Sequence, residues 1–480
     1  MTRPTVGRWL RLLAFVLAVP LVGAGIATVL RDHADASFAF ELQQSASPGG
    51  PPRKTPLTLA ELCAGPDADS YQACNGDAGY RLFAGASFAA GAGGLALLGG
   101  IALAGAVART DRRLLLALFR PGLYVMATVV TGLIAIHAII ATVALFAGVQ
   151  AVLPGTPMFF GGVILAGALA GIRAVPRALF GAVRETRAVA FGGRVTRQDA
   201  PRLWALVEAT AARLGARPPD DIVLALDTTF FAIDAPVATP NGACLGRTLC
   251  CSLPLARILT VDEFTSIVAH ELAHFRREDT AFRARFSSIY RGTTDAIVHL
   301  ATVGGGGRSI ALWPALATFD FFLERFAAAE RRHSRDSELV ADAAAAEATS
   351  ARAVATALVK THAFGPLWPQ AFEQAAQTVV DPGGQVPNAG AIFAADAGRA
   401  AEPSLLEGIL ERETAHPIDS HPSLAVRLSA IGIALADVSA DALQVDLADP
   451  AASLAPVGVL HEQALSMIVV ASRQRPPASD

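Results

Sequence analysis

His270-Glu271-Leu272-Ala273-His274 is the segment of this sequence whose residue types and spacing can do chemistry. On an α-helix, His270 and His274 stand one turn apart on the same face, so both imidazoles can bind one metal ion. Zinc held this way lowers the pKa of a coordinated water to about 7, and a carboxylate beside the first ligand can take its proton as it attacks a carbonyl. Glu271 is that carboxylate. A catalytic zinc needs a third protein ligand and an open fourth position. Glu338-Leu339-Val340-Ala341-Asp342 supplies the candidate, so the reading is one zinc ion per chain on His270, His274 and Glu338. Asp342, one turn beyond Glu338, would accept a hydrogen bond from the outer nitrogen of a zinc histidine, His270 by preference, and fix its tautomer. Either segment alone would also suit an ordinary solvated helix face.

The elements that must hold these residues are marked locally. Thr260-Val261-Asp262-Glu263 reads as a capping box that starts a helix near Val261. Phe264, Ile267 and Val268 give that helix an apolar face, and Arg276-Arg277 suit its C-terminus. Ala341, Ala343, Ala344 and Ala345 would let the second helix pack closely on the first. Upstream, residues 199–214 have helical periodicity and end at Gly215, while 222–226, 232–237 and 249–253 read as short strands. Long helices dominate after residue 260.

The N-terminal part is a membrane sequence. The chain has 480 residues, 52% hydrophobic and 17% charged, against about 25% charged in soluble domains. Mean hydropathy is +0.43. Four apolar stretches, near 12–30, 82–108, 122–150 and 158–176, are each long enough to span a bilayer. Pro154-Gly155-Thr156-Pro157 reads as a hairpin tip between the last two. Arginines precede the first span (Arg3, Arg8, Arg11), fill the second loop (Arg109, Arg112, Arg113, Arg120) and follow the fourth span (Arg173, Arg177, Arg184, Arg187). The positive-inside rule then puts the N-terminus and everything after the fourth span in the cytoplasm of a multi-pass inner- or plasma-membrane protein. The first span reads as an anchor rather than a cleaved signal. The expected organisation is a membrane region over 1–180 with an outer loop over 31–81, a catalytic domain over 185–435 and an extension over 436–480.

Smaller features complete the reading. Cys63 and Cys74 fall in the outer loop, where they could pair, whereas Cys244, Cys250 and Cys251 read as small apolar core residues. His137, inside the third span, reads as a packed polar residue rather than a ligand. Residues 310–323 are apolar but short, with Pro314 and Asp320, and read as a buried or interfacial helix. A net charge of −3 gives no polyanion-binding surface, so no nucleic-acid partner is expected; the lipid bilayer is.

In this setting residues 190–435 resemble the membrane-bound zinc metalloendopeptidases that include the CaaX prenyl protease and the bacterial stress protease HtpX. The likeness rests on Pro240-Asn241-Gly242-Ala243, on Thr260 to His274 with Asp279 following, on Arg335 to Asp342, and on His421-Pro422-Ser423-Leu424-Ala425-Val426-Arg427. It implies a mostly α membrane protein with four N-terminal transmembrane helices and an α+β zincin-like metallopeptidase domain with a small sheet. It also implies Glu271 as the general base and an extended polypeptide substrate held by Asn241 on an edge strand. His421 would stabilise the developing oxyanion, with His416 a competitor, and Arg427 would tie to acids near the site. Gly242-Ala243-Cys244 replaces bulkier residues, and the multi-span chamber of the prenyl proteases is not evident, so prenylated substrates are not expected.

The expected function is a membrane-anchored zinc endopeptidase acting on misfolded or membrane proteins. The alternative is a non-catalytic regulatory membrane protein that keeps a structural zinc, for which Glu271 would have no use.

Overall fold

The computed structural model describes residues 3–44, 58–65, 71–152, 158–182, 188–276, 286, 289–295, 297–298, 307–377, 388–402, 405, 422–434, 437–438, 440–446 and 450–474. The chain divides into two compact units, residues 1–184 with 289–329 and residues 185–288 with 330–480.

The first unit is helical: α1 (Arg3–Gln44), α2 (Leu59–Leu62), α3 (Gln72–Ala108), α4 (Arg112–Val152) and α5 (Met158–Ala182). Among the described residues, three segments are long and apolar enough to cross a membrane: Leu10–Leu42, Ala73–Ala108 and Arg112–Phe146. Leu21, Leu82, Phe88, Leu103 and Ile139 are exposed on these helices, an arrangement suited to lipid rather than water. The apolar helix α5 likewise exposes Val163, Leu165 and Leu169. The expected hairpin tip at 154–157 lies outside the described residues. Close approach of α1 and α3 depends on glycine, since a Cβ at Gly94 would collide with Val16 Cγ1. Past the end of the first apolar stretch, Cys63 and Cys74 are joined by a disulfide. Nearby, buried Asp77 pairs with Arg31 at 2.8 Å and Arg81 at 2.6 Å, and the Leu59 amide donates to Asp35 at 3.0 Å.

The second unit holds the sheets. β1 (Ala188–Val189), β5 (Val237–Thr239) and β6 (Gly242–Cys244) form one, in the order β1-β5-β6. β2 (Gly192–Val195), β3 (Asp221–Ala225), β4 (Phe231–Asp234) and β7 (Arg247–Ser252) form the other, in the order β2-β3-β7-β4. β3 and β7 run parallel, and β4 is an antiparallel edge. The strand expected over 232–237 is therefore two strands in two sheets. They are interrupted at Ala235-Pro236, where proline has no N–H for a ladder. Helix α6 (Pro201–Leu214) ends at Gly215, whose φ of 61° favours glycine. Helix α7 (Leu253–Ala256) leads into α8 (Val261–Arg276), whose Phe264, Val268 and Leu272 are fully buried in the core.

Helix α9 (Gly307–Ala348) contributes residues to both units. Residues 310–323 are thus the early turns of one 42-residue helix rather than a separate short one. In the first unit, its Phe322 and Phe326 stack around Phe119 with ring centroids 5.6 and 5.3 Å away. In the second unit, it carries Glu338 and Asp342. The rest of the second unit comprises α10 (Ala351–Phe364), α11 (Trp368–Gln377), α12 (Ala389–Ala400), α13 (Leu424–Ala430) and α14 (Val457–Gln474). The last belongs to the core: Leu465 is buried, and Glu462, also buried, accepts from Arg257 and Asn388 at 2.8 and 3.1 Å.

The start of α8 is fixed twice over. Glu263 closes the capping box by accepting from the Thr260 amide at 2.8 Å, and the same oxygen accepts from Lys360 Nζ of α10 at 2.8 Å. Both charges are buried. Breaking a buried pair strands a charge at a cost of about 3–5 kcal/mol, whereas an uncharged pair of similar volume is often tolerated. Lys360→Ala is therefore expected to lower the melting temperature sharply, and Lys360→Met combined with Glu263→Gln to recover most of the loss. Scanning fluorimetry in detergent reads both.

Candidate metal centre

Helices α8 and α9 each present two functional side chains one turn apart. His270 and His274 project from α8, with ring centroids 5.0 Å apart and rings perpendicular at 89°. Glu338 and Asp342 project from α9, where Ala341 and Ala345 are also buried. His270 Nε2 lies 3.4 Å from Glu338 Oε2, and His274 Nε2 lies 3.5 Å from Glu338 Oε1. One ligand atom from each of the three residues lies within 4.8 Å of the other two. Zinc–nitrogen and zinc–oxygen bonds of about 2.0–2.1 Å in a tetrahedron place donors roughly 3.3–3.5 Å apart. The His₂Glu donor set and its spacing thus fit a small divalent cation such as zinc.

Behind these atoms lies a second layer of polar contacts. Asp342 Oδ1 is 2.8 Å from His270 Nδ1. A proton on Nδ1 leaves Nε2 with its lone pair toward Glu338. Arg427 of α13 grips Asp342 with two hydrogen bonds, Nε to Oδ2 at 2.8 Å and Nη2 to Oδ1 at 2.6 Å. Burial opposes ionisation of Asp342, but the Arg427 and His270 hydrogen bonds outweigh it and hold the carboxyl below its ordinary range. Burial also opposes a charge on His270, yet the hydrogen bonds it donates to the Asp342 and Glu338 carboxylates pull the imidazole up to about 9. A cation binding here displaces that proton. Ser337 Oγ lies 3.4 Å from His274 Nδ1, on the outer side of the second histidine.

Glu271 points toward the sheet. Its Oε2 accepts from the Ala232 amide at 2.9 Å. Ala232 lies on edge strand β4, so the carboxylate is held against the open edge beside the two histidines.

The structure brings together His270, Glu271, His274, Glu338, Asp342 and Arg427. It does not bring Asn241 to an edge strand. Asn241 stands in the two-residue turn between β5 and β6, and the edge that meets Glu271 is Phe231–Asp234 instead. A two-residue turn that returns the chain antiparallel leaves no room for Asn241 to lie in a strand. His421, His416 and Asp279 lie outside the described residues. Ser337 and the Ala232 amide were not legible beforehand, because a serine in a helix and an alanine amide carry no chemical signature in sequence.

His270, His274 and Glu338 are buried and half-buried Glu271 lies beside them, a donor set with a neighbouring carboxylate that suits a metal-dependent hydrolase. Residues 198–433 match the model of Peptidase family M48, in line with the resemblance to HtpX and the CaaX prenyl protease. A protein described as a protease HtpX homolog, from Gemmatimonas aurantiaca, is 28% identical over 117 residues. The alignment covers 23% of this chain and 38% of that protein, so the chain spans well under two thirds of the relative it matches. No solved structure matches the chain.

Loss of outer support weakens metal sites typically by 10–100-fold. Asp342→Asn is expected to lower zinc affinity by about that factor, read by competition with a chromogenic chelator. Unchanged affinity would remove Asp342 from the support of His270.

Proposed function

We propose that this chain is a membrane-anchored zinc-dependent endopeptidase, with one zinc on His270, His274 and Glu338. The observation that carries the reading is the convergence of these donors beside a carboxylate, Glu271, that a purely structural zinc site would not need. The proposal includes a multi-pass topology with α5 as a fourth span, the N-terminus inside and the catalytic domain in the cytoplasm. The arginine distribution supports that orientation.

Zinc bound here would supply Lewis-acid polarisation of a water and of the scissile carbonyl. The protein's own residues do the rest. Glu271, anchored through Oε2 on the Ala232 amide, keeps Oε1 available to take the proton of the attacking water and pass it to the leaving amine. Asp342 and Arg427 hold His270 in one tautomer and one orientation. His421 is the proposed donor to the oxyanion that develops on the carbonyl oxygen.

The substrate in this reading is an extended polypeptide laid along β4. Strand addition to an edge uses main-chain hydrogen bonds and is tolerant of side chains. That tolerance, with the membrane anchor, supports misfolded or membrane polypeptides as the substrate class and a role in their quality control.

The deciding experiment is cleavage of an unfolded model protein by the full chain in detergent. Glu271→Gln should retain stoichiometric zinc and lose activity by about 10²–10⁴-fold, the usual contribution of a general base. Chelation should abolish wild-type cleavage, and added zinc should restore it. Equal rates in wild type and Glu271→Gln would sink the proposal.

A further inference from the structure

Helix α14 (Val457–Gln474) is turned inside out relative to an ordinary surface helix. Its inward face packs against α7, α11, α12, β2 and β3. That face carries polar groups. Buried Glu462 accepts from Arg257 at 2.8 Å and from Asn388 at 3.1 Å, and buried Ser466 accepts from the Ala389 amide at 3.4 Å. The outward positions are 459, 460, 463, 464, 467 and 468. Four of them are large and apolar: Val459 is 43% exposed, Leu460 66%, Met467 47% and Ile468 48%. Their spacing of one, four, five, eight and nine places them in one stripe roughly 14 Å long. Single apolar residues scattered over a surface are ordinary, but a continuous stripe marks a contact.

Charge and chain connection identify what the stripe meets. The one acid of α14 is Glu462, and it is buried against Arg257. After it, Arg473 and Arg475 are the charged residues before Asp480. An apolar stripe continued by cations suits the interface of an anionic bilayer, where apolar side chains leave water and arginines meet lipid phosphates. Pairing of α14 with its own copy would offer those arginines no acid.

The chain also keeps α14 within reach of a bilayer. Apolar α5 ends at Ala182 and β2 begins at Gly192, so the path between them is at most about 36 Å. β2 is one of the strands that α14 covers. A Cβ at Gly193 would lie 2.7 Å from His461 Nδ1, so glycine there lets α14 settle on the strand.

We propose that α14 is a membrane-docking helix. Val459, Leu460, Met467 and Ile468 enter the interface of an anionic bilayer, and Arg473 and Arg475 supply the charge that lipid phosphates attract. Docking confines the second unit to the bilayer surface. The proposal rests on the membrane-anchored reading, with α5 as a span, and not on peptidase activity.

The test uses the full chain, one copy per nanodisc of phosphatidylethanolamine and phosphatidylglycerol. A nitroxide label is placed at Leu460→Cys or at Met467→Cys, with wild type put through the same labelling as the blank for native thiols. Power-saturation spectra then compare collisions with oxygen, which concentrates in lipid, and with a water-soluble nickel chelate. Both labels should collide more with oxygen than with nickel. Arg473→Gln and Arg475→Gln should each lower the ratio of docked to undocked label about fivefold, the usual worth of a basic residue at an anionic surface. Labels that collide mainly with nickel would overturn the proposal, as would a ratio that neither arginine changes. Labels shielded from both reagents would also overturn it. In that case, dipolar broadening in discs carrying two chains, relieved by dilution with unlabelled chain, would assign the stripe to a second copy. A chain that fails to enter nanodiscs would overturn the membrane reading together with the docking, whereas a chain that enters them with water-exposed labels overturns the docking alone.

Discussion

The bidentate grip of Arg427 on Asp342 is the contact on which the metal centre depends. His270, His274, Glu338, Asp342 and Arg427 are all buried. Removing that many ionisable groups from water costs several kcal/mol each unless they are paired with good geometry. Two carboxylates one turn apart on α9 would repel each other if left alone. The guanidinium sits 2.6 Å from Asp342 and 3.9 Å from Glu338, so it offsets both while bonding only the first. Glu338 is thereby left facing the two Nε2 atoms. The short helix α13 is needed to bring that cation to the back of α9, with Ser423 capping its start.

The same logic recurs where the helices are anchored. Lys360 binds Glu263 at the start of α8, and Arg257, just before α8, binds Glu462 of α14. Each pair joins the region that sets the direction of the catalytic helix to a distant element. The second explains why α14, outside the segment that matches the family, is part of the folded core. A Cβ at Gly390 would collide with Glu462, so glycine there is what lets α12 approach α14.

Much of this was legible because it is local. Charge-free runs marked the three long apolar helices, and the paired acids and paired histidines announced their helical faces, since a spacing of four is one turn. The capping box at Thr260 needed only four residues. What escaped was long-range or chemically plain. Lys360 and Glu263 are 97 positions apart, and Arg257 and Glu462 are 205 apart. No periodicity predicts such pairs. The strand at 232–237 was read as continuous although Pro236 was in view, because both halves are apolar and only the tertiary fold separates the sheets. Asn241 was placed by a short motif rather than by a pattern of burial, and the chain turns there instead. The apolar stretch at 310–323 read as a short buried or interfacial helix, because its continuation toward Glu338 is polar and charged.

The contact between Glu271 and Ala232 joins the two halves of the chemistry. A carboxylate beside two histidines on a helix could point anywhere in its rotamer range. The amide of an edge strand gives it one direction. That amide is available because, among the described residues, β4 pairs with β7 on one side only. Were another strand of the protein to cover β4, both the donor to Glu271 and the place for an extended chain would disappear together. The orientation of Glu271 and the openness of β4 are therefore consequences of one feature, a sheet edge, unpaired among the described residues, held against helix α8.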